Sequence, residues 1–215
     1  MTSLRLAGSL ALPAGPLGLV VFAHGSGSSR LSPRNRMVAE RLNRDGIATL
    51  LFDLLTEEEG KDRRNVFDIA LLAERLAGAT DWARAEPLLR ALSIGYFGAS
   101  TGAAAAIAAA ASRPRDIAAV VSRGGRPDLA SDDALRALQA PTLLIVGALD
   151  GDVLRLNGLA QSKMTCPSQL EVVPGATHLF EEKGALERAA DLASDWFQSH
   201  FRRAGAMLSG EPTPP

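Results

Sequence analysis

Cysteine is nearly absent from the 215 residues, and Cys166 alone can form neither an intramolecular disulfide nor a cysteine-based zinc site. A surplus of one charge is also missing. With 23 basic and 24 acidic residues the formal net charge is −1, which argues against a dedicated nucleic-acid binder or a polybasic membrane binder. Lysine is scarce beside arginine, a compositional bias that carries no functional weight. An uninterrupted apolar span is lacking as well. Residues 6–23 carry no charge, but Pro13, Gly15, Pro16 and Gly18 break any spanning helix and argue against a signal peptide. A cytoplasmic protein that engages neither membrane nor nucleic acid, monomer or homodimer, is the expectation. Hydrophobic residues at 47% and charged residues at 22% exclude disorder over most of the length.

What is present is an alternation of strand and helix patterns. An N-terminal hairpin is expected from a strand over 4–12, a turn at 13–16 and a buried strand over 18–23. An amphipathic helix over 37–44 follows, stopped by Gly46, and then a buried strand over 47–54. Helical spacing over 65–76 runs on toward Arg84, before Pro87. A strand over 92–97 feeds the alanine-rich helix 102–111, closed by Pro114. Strands over 117–121, 142–146 and 170–173 alternate with helices over 132–139, 153–162 and 184–201. Strands apolar on both faces, separated by helices, predict an α/β fold with a mostly parallel, doubly wound sheet. One domain over 1–204 is expected, followed by a disordered tail over 205–215.

In such a sheet chemistry gathers at the carboxyl ends of the strands. There Gly98-Ala99-Ser100-Thr101-Gly102 has the G-x-S-x-G pattern between strand and helix. The flanking glycines suit a sharp turn at which a Cβ would strike strand or helix, and Ser100 would stand at a helix N-terminus; the plain alternative is a turn with an N-cap serine. A serine nucleophile needs a base and a group to orient it. His178, after the last strand in Pro174-Gly175-Ala176-Thr177-His178, is the candidate base; His200 reads as solvated and His24 as a structural partner of its own loop. Asp150 and Asp152 compete for the orienting role. Asp150 is preferred on its G-x-x-D-x-x-V spacing, with Asp152 left to cap the next helix. Backbone N–H groups of Ser26 and Thr101 are the candidate oxyanion donors.

These segments resemble the α/β-hydrolase superfamily, and within it the small dienelactone-hydrolase-like proteins. The resemblance spans about residues 4–201 and rests on H-G-S-G at 24–27, G-A-S-T-G at 98–102, P-T-L-L-I-V-G-A-L-D at 141–150 and P-G-A-T-H at 174–178, in that order. It implies a sheet of about eight strands and a Ser100–His178–Asp150 triad that cleaves small soluble esters or lactones through an acyl-enzyme, with no metal or organic cofactor. Dienelactone hydrolases proper carry cysteine as nucleophile, where this chain has Ser100, so an ester-cleaving relative fits better than a dienelactone hydrolase.

Arg123 and Arg126, in a glycine-rich loop on the same rim, are candidates to bind a substrate carboxylate; the plainer reading is a salt bridge to Asp128. Glu57-Glu58-Glu59 reads as a solvated charge run or a partner of those arginines, and Trp82 and Trp196 as core or interface. Competing readings keep the same triad for acyl transfer or perhydrolysis, or make the fold a non-catalytic binding module. A Rossmann-type nucleotide site would use Gly25-x-Gly27 with Asp53 as ribose acid, but Arg30 stands where its third glycine belongs. About twenty residues lie between the strands at 117–121 and 142–146, too few for a helical lid, so an open cleft is expected.

Overall fold

A computed structural model describes residues 5–209. Among them seven strands form one sheet in the order β1-β3-β2-β4-β5-β6-β7. The strands are β1 (Gly8–Ala11), β2 (Leu19–Ala23), β3 (Ala48–Phe52), β4 (Ile94–Ala99), β5 (Ile117–Arg123), β6 (Thr142–Gly147) and β7 (Ser168–Val173). The helices are α1 (Pro33–Arg44), α2 (Arg63–Val66), α3 (Ile69–Ala85), α4 (Thr101–Ser112), α5 (Asp132–Ala137), α6 (Gly151–Gln161) and α7 (Ala185–Ser209). The expected eighth strand is not among the described residues.

Only β1 runs antiparallel, and it pairs with β3 instead of forming the expected hairpin with β2. Both edges of β2 are taken by β3 and β4, so the chain leaving β1 finds its free edge one strand further out. The central strands β2, β3, β4 and β6 are buried along their whole length, as continuous apolar runs require. On one face the core joins α3 and α4, on the other α1 and α7. The alanines 103–106 are fully buried, and their small side chains bring α4 close onto the strands. On the opposite face Gly95 and Gly18 make room for Phe197 and Phe201; a Cβ on Gly95 would lie 2.6 Å from the Phe197 ring.

Two boundaries differ from expectation for local reasons. α1 begins at Pro33, not at residue 37, because Ser32 Oγ accepts the Asn35 N–H at 3.3 Å and proline suits the first helical position. α7 continues through residues 205–209 of the expected tail, and 210–215 lie outside the described residues. No helix among the described residues is long and apolar enough to cross a membrane. Because β2–β7 are parallel, their carboxyl ends share one rim; Ser26, Ser100, Asp150 and His178 lie in the loops and turns after them, and Arg123, expected in a loop, is the last residue of β5.

Candidate active site

The turn from β4 to α4 is an elbow. Ser100 sits at φ 51°, ψ −124°, outside the regions L-residues prefer, and such backbone costs about 1–3 kcal/mol. Both flanking glycines are needed. A Cβ on Gly98 would lie 2.4 Å from Ala103 Cα in α4, and one on Gly102 would lie 2.2 Å from the Ala23 carbonyl at the end of β2. Ser100 makes no side-chain cap bond, so the plain N-cap reading does not describe it. Thr101 occupies the first position of α4, where a backbone N–H has no helical acceptor.

Across the rim, His178 Nδ1 and Asp150 Oδ2 are 2.6 Å apart. The carboxylate can only accept, so Nδ1 carries the proton and Nε2 of the neutral ring is left as the basic atom. Asp150 stands at the N-cap position of α6 but spends its side chain on His178 and not on the helix. The competing Asp152 does not cap α6; its side chain is 95% exposed in the first turn. The loop holding His178 rests on the loop holding Asp150. Leu149 N–H donates to the Ala176 carbonyl at 2.9 Å, and a Cβ on Gly147 would lie 2.3 Å from that same oxygen. Thr177 donates its N–H and hydroxyl to the two carboxylate oxygens of Glu182, at 3.1 and 2.5 Å, which closes the loop on itself.

The segment Arg123–Arg126 lies between the serine and the histidine. Ser100 N–H donates to the Arg123 carbonyl at 3.3 Å, and Arg126 N–H donates to the Ser100 carbonyl at 3.0 Å. Gly124, at φ +51°, packs so that a Cβ would lie 3.0 Å from the His178 carbonyl and 3.7 Å from its Cε1. Both residues thus touch one turn. Among the described residues Ser100 Oγ has no hydrogen-bond partner, so a serine–histidine bond is absent from this structure. Catalytic hydrogen bonds are often long before substrate binds.

On the other flank of Ser100, a Cβ on Gly25 would sit 3.7 Å from Ser100 Oγ, placing the 24–29 loop beside the hydroxyl. Ser26 N–H, one of the two expected oxyanion donors, is not free: it donates to Thr101 Oγ1 at 2.8 Å. Thr101 therefore offers a hydroxyl as well as an amide, which spacing alone did not indicate. His24 holds the loop as expected, with Nδ1 3.0 Å from the Gly25 carbonyl and Nε2 accepting the Leu54 N–H at 3.1 Å. Burial lowers its pKa, in keeping with a neutral ring. Asp53 accepts the Arg30 N–H at 2.7 Å and its guanidinium at 2.6 Å, so the acid that a ribose site would use serves the loop instead.

A cavity of about 540 Å³ opens from this loop toward α2 and α3. Leu54, Leu55, Val66 and Leu72 form its apolar wall, with Glu57 and Lys61 at its edge. The segment between β3 and α3, including a short 3-10 turn and α2, walls it; only another short 3-10 turn and α5 lie between β5 and β6. Of the acidic run, Glu59 pairs with Arg75 at 2.8 Å and Glu58 with Lys61 at 2.7 Å, not with the rim arginines. Arg126 pairs with Asp128 at 2.7 Å. His200 is not simply solvated: Nδ1 lies 2.8 Å from the Trp196 carbonyl and the ring 4.4 Å from that indole. Trp82 is exposed on α3, outside the core.

Among known proteins, a solved dienelactone hydrolase from Anabaena variabilis ATCC 29413 is 54% identical, with a TM-score of 0.90 over 93% of this chain and 94% of that one. Est1E of Butyrivibrio proteoclasticus, solved with ferulic acid, shares the fold at 18% identity and a TM-score of 0.78, over 92% of this chain and 96% of that one. Two Mycobacterium tuberculosis proteins, from strains CDC 1551 / Oshkosh and ATCC 25618 / H37Rv, are each 60% identical over 196 residues, 91% of this chain. They are provisionally named phosphoribosyl transferases, and the chain spans 44% of their length. Residues 17–200 match the family described as alpha/beta hydrolase domain, and the chain belongs to that family.

Proposed function

We propose that the protein is a serine hydrolase that cleaves carboxylic esters or lactones of small soluble substrates. One observation carries the reading: a histidine bonded to a carboxylate at 2.6 Å on the same rim as a serine held at φ 51° by a glycine-flanked elbow. Ser100 Oγ attacks the acyl carbonyl while His178 Nε2 takes its proton, and Asp150 holds the ring in the required tautomer and stabilises the imidazolium. Negative charge on the carbonyl oxygen falls at the head of α4, against the Thr101 N–H, with Ser26 N–H released from the Thr101 hydroxyl to join it. His178 then returns the proton to the leaving alcohol. Water, deprotonated by the same nitrogen, frees the acyl group from Ser100.

The cavity beside Gly25 suits the apolar part of such a substrate. The 54% identical dienelactone hydrolase supports the ester or lactone class. The phosphoribosyl transferase name belongs to proteins of which this chain covers 44%, and the geometry of this part favours hydrolysis. A panel of p-nitrophenyl esters of graded acyl length tests the reading. Short esters should turn over, and Ser100→Ala should reduce kcat by about 10⁴-fold or more. Wild-type turnover by Ser100→Ala would refute it.

A further inference from the structure

Arg123 closes β5 and turns toward the face carrying α1 and α7, like Val121 and Ala119 before it on that strand. It is 6% exposed, and no carboxylate among the described residues pairs with it. Its Nε has no hydrogen-bond partner, and Nη2 reaches Asn35 Oδ1 only at 3.5 Å. The guanidinium carbon lies 5.6 Å from the centre of the Phe180 ring. Burial, then repulsion from Arg34, lowers its pKa to about 10. Other arginines of this rim have acids: Arg30 has Asp53 at 2.6 Å, Arg126 has Asp128 at 2.7 Å, and Arg34 has Glu181 at 3.2 Å. A buried cation is retained without a counter-ion only at a cost, unless the counter-ion arrives with a ligand.

The surroundings of Arg123 name the ligand. Asn35 lies in the first turn of α1, a twelve-residue helix with no acidic residue in that turn to offset its positive end. Ser32 Oγ caps only the Asn35 N–H. Arg34 comes from the same turn. Two guanidiniums on different elements and a helix N-terminus suit a group with two negative charges and oxygens pointing in several directions; a planar carboxylate would occupy one arginine fork. We infer that Arg123, Arg34 and the head of α1 form a phosphate subsite beside His178, so that the ester cleaved carries a phosphate group. The second clause rests on the ester-hydrolase reading. Gly124, next to Arg123, packs against His178, and Arg34 is tied to Glu181 in the same loop. The apolar cavity, walled by Leu54 and Leu72 of the opposite core, lies on the other side of the sheet rim. Phosphate and apolar group would therefore flank the reacting carbonyl.

Inorganic phosphate is the probe, titrated against acetate and chloride at matched ionic strength. Two signals are read: the Tm, and the inhibition of p-nitrophenyl acetate hydrolysis. Phosphate should raise Tm and compete with the ester, acetate and chloride should do neither, and Arg123→Gln should abolish the response. Arg34→Gln, at a side chain exposed enough to spare the fold, should raise the half-maximal phosphate concentration about tenfold and decides the matter if Arg123→Gln does not fold. Phosphate acting no differently from chloride, or an unchanged response in Arg34→Gln, would overturn the subsite. Acetate matching phosphate would overturn phosphate as the ligand and leave a carboxylate. Fluorophosphonate labelling run in parallel separates the two readings: labelled protein without a phosphate response sinks only the subsite, and a phosphate response without labelling sinks only the hydrolase.

Discussion

His178 and Ser100 stand on the same rim but are held in different ways. His178 is bonded to Asp150 at 2.6 Å, its loop rests on Gly147, and Thr177 closes that loop on Glu182. Ser100 is fixed through its backbone alone: the amide, the carbonyl and two glycine contacts set the elbow, while Oγ is unpartnered and the neighbouring Ser26 amide is occupied by Thr101. The Asp150–His178 pair is in place in this structure; under the proposed mechanism the Ser100 hydroxyl and the Ser26 amide would find their partners only once substrate binds. The partly buried Asp150–His178 bond satisfies both partners, whereas an oxyanion hole left open would hold unpaired amides until charge develops.

The difference between His178 and Ser100 can be broken by substitution. Asp150→Asn should have the largest effect on the His178 side, lowering kcat by about 10⁴-fold with KM little changed, because the amide favours the wrong tautomer of His178. Single-turnover kinetics on a p-nitrophenyl ester would measure it. Gly102→Ala forces a methyl group to 2.2 Å from the Ala23 carbonyl, backbone against backbone, and should destabilise the protein by about 3 kcal/mol in a urea titration. Thr101→Val removes the hydroxyl that holds the Ser26 amide beside Ser100 and should lower kcat by about tenfold through misplacement of that amide, with Thr101→Ser restoring most of it. If Thr101→Val raised kcat instead, the threonine hydroxyl would only compete with substrate for the Ser26 amide.

Smaller effects concern the supports. Thr177→Val opens an exposed clamp on Glu182 and should cost about threefold in kcat at most. The pH dependence of stability adds another support. Burial lowers the pKa of His24 and of His200 from 6.5, so the native state binds protons less readily there than the unfolded chain. Stability from these rings is fully present above about pH 6.5 and is lost as pH falls through the window below it. Tm recorded from pH 8 down to about pH 5 should decline, and replacing both histidines by asparagine should flatten the decline.

The turn at Ser100 and the loops that bring Asp150 and His178 together are legible in the sequence because each sits in a short pattern with a local cause: glycines about a sharp turn, an aspartate after an apolar run, a histidine in a small-residue loop. The central strands are legible for the same reason, as continuous apolar runs. What depends on distant pairing is not. Proximity along the chain points β1 to β2, whereas its partner β3 lies about forty residues on in the register. The Ser26–Thr101 bond joins residues 75 apart, and the environment of Arg123 is built by Asn35 of α1 and Phe180 of the loop after β7. Local chemistry suggests Asp152 as the helix cap, yet Asp150 holds the cap position while its carboxylate serves His178. A helix cap can be read locally only when no distant group competes for its side chain.

The most direct measurement is mass-spectrometric mapping of the adduct formed with a fluorophosphonate probe. One adduct is expected, on Ser100, formed rapidly by the wild type, absent in Ser100→Ala and slowed by orders of magnitude in His178→Ala. A stable adduct on another residue, or none on folded wild-type protein, would contradict it.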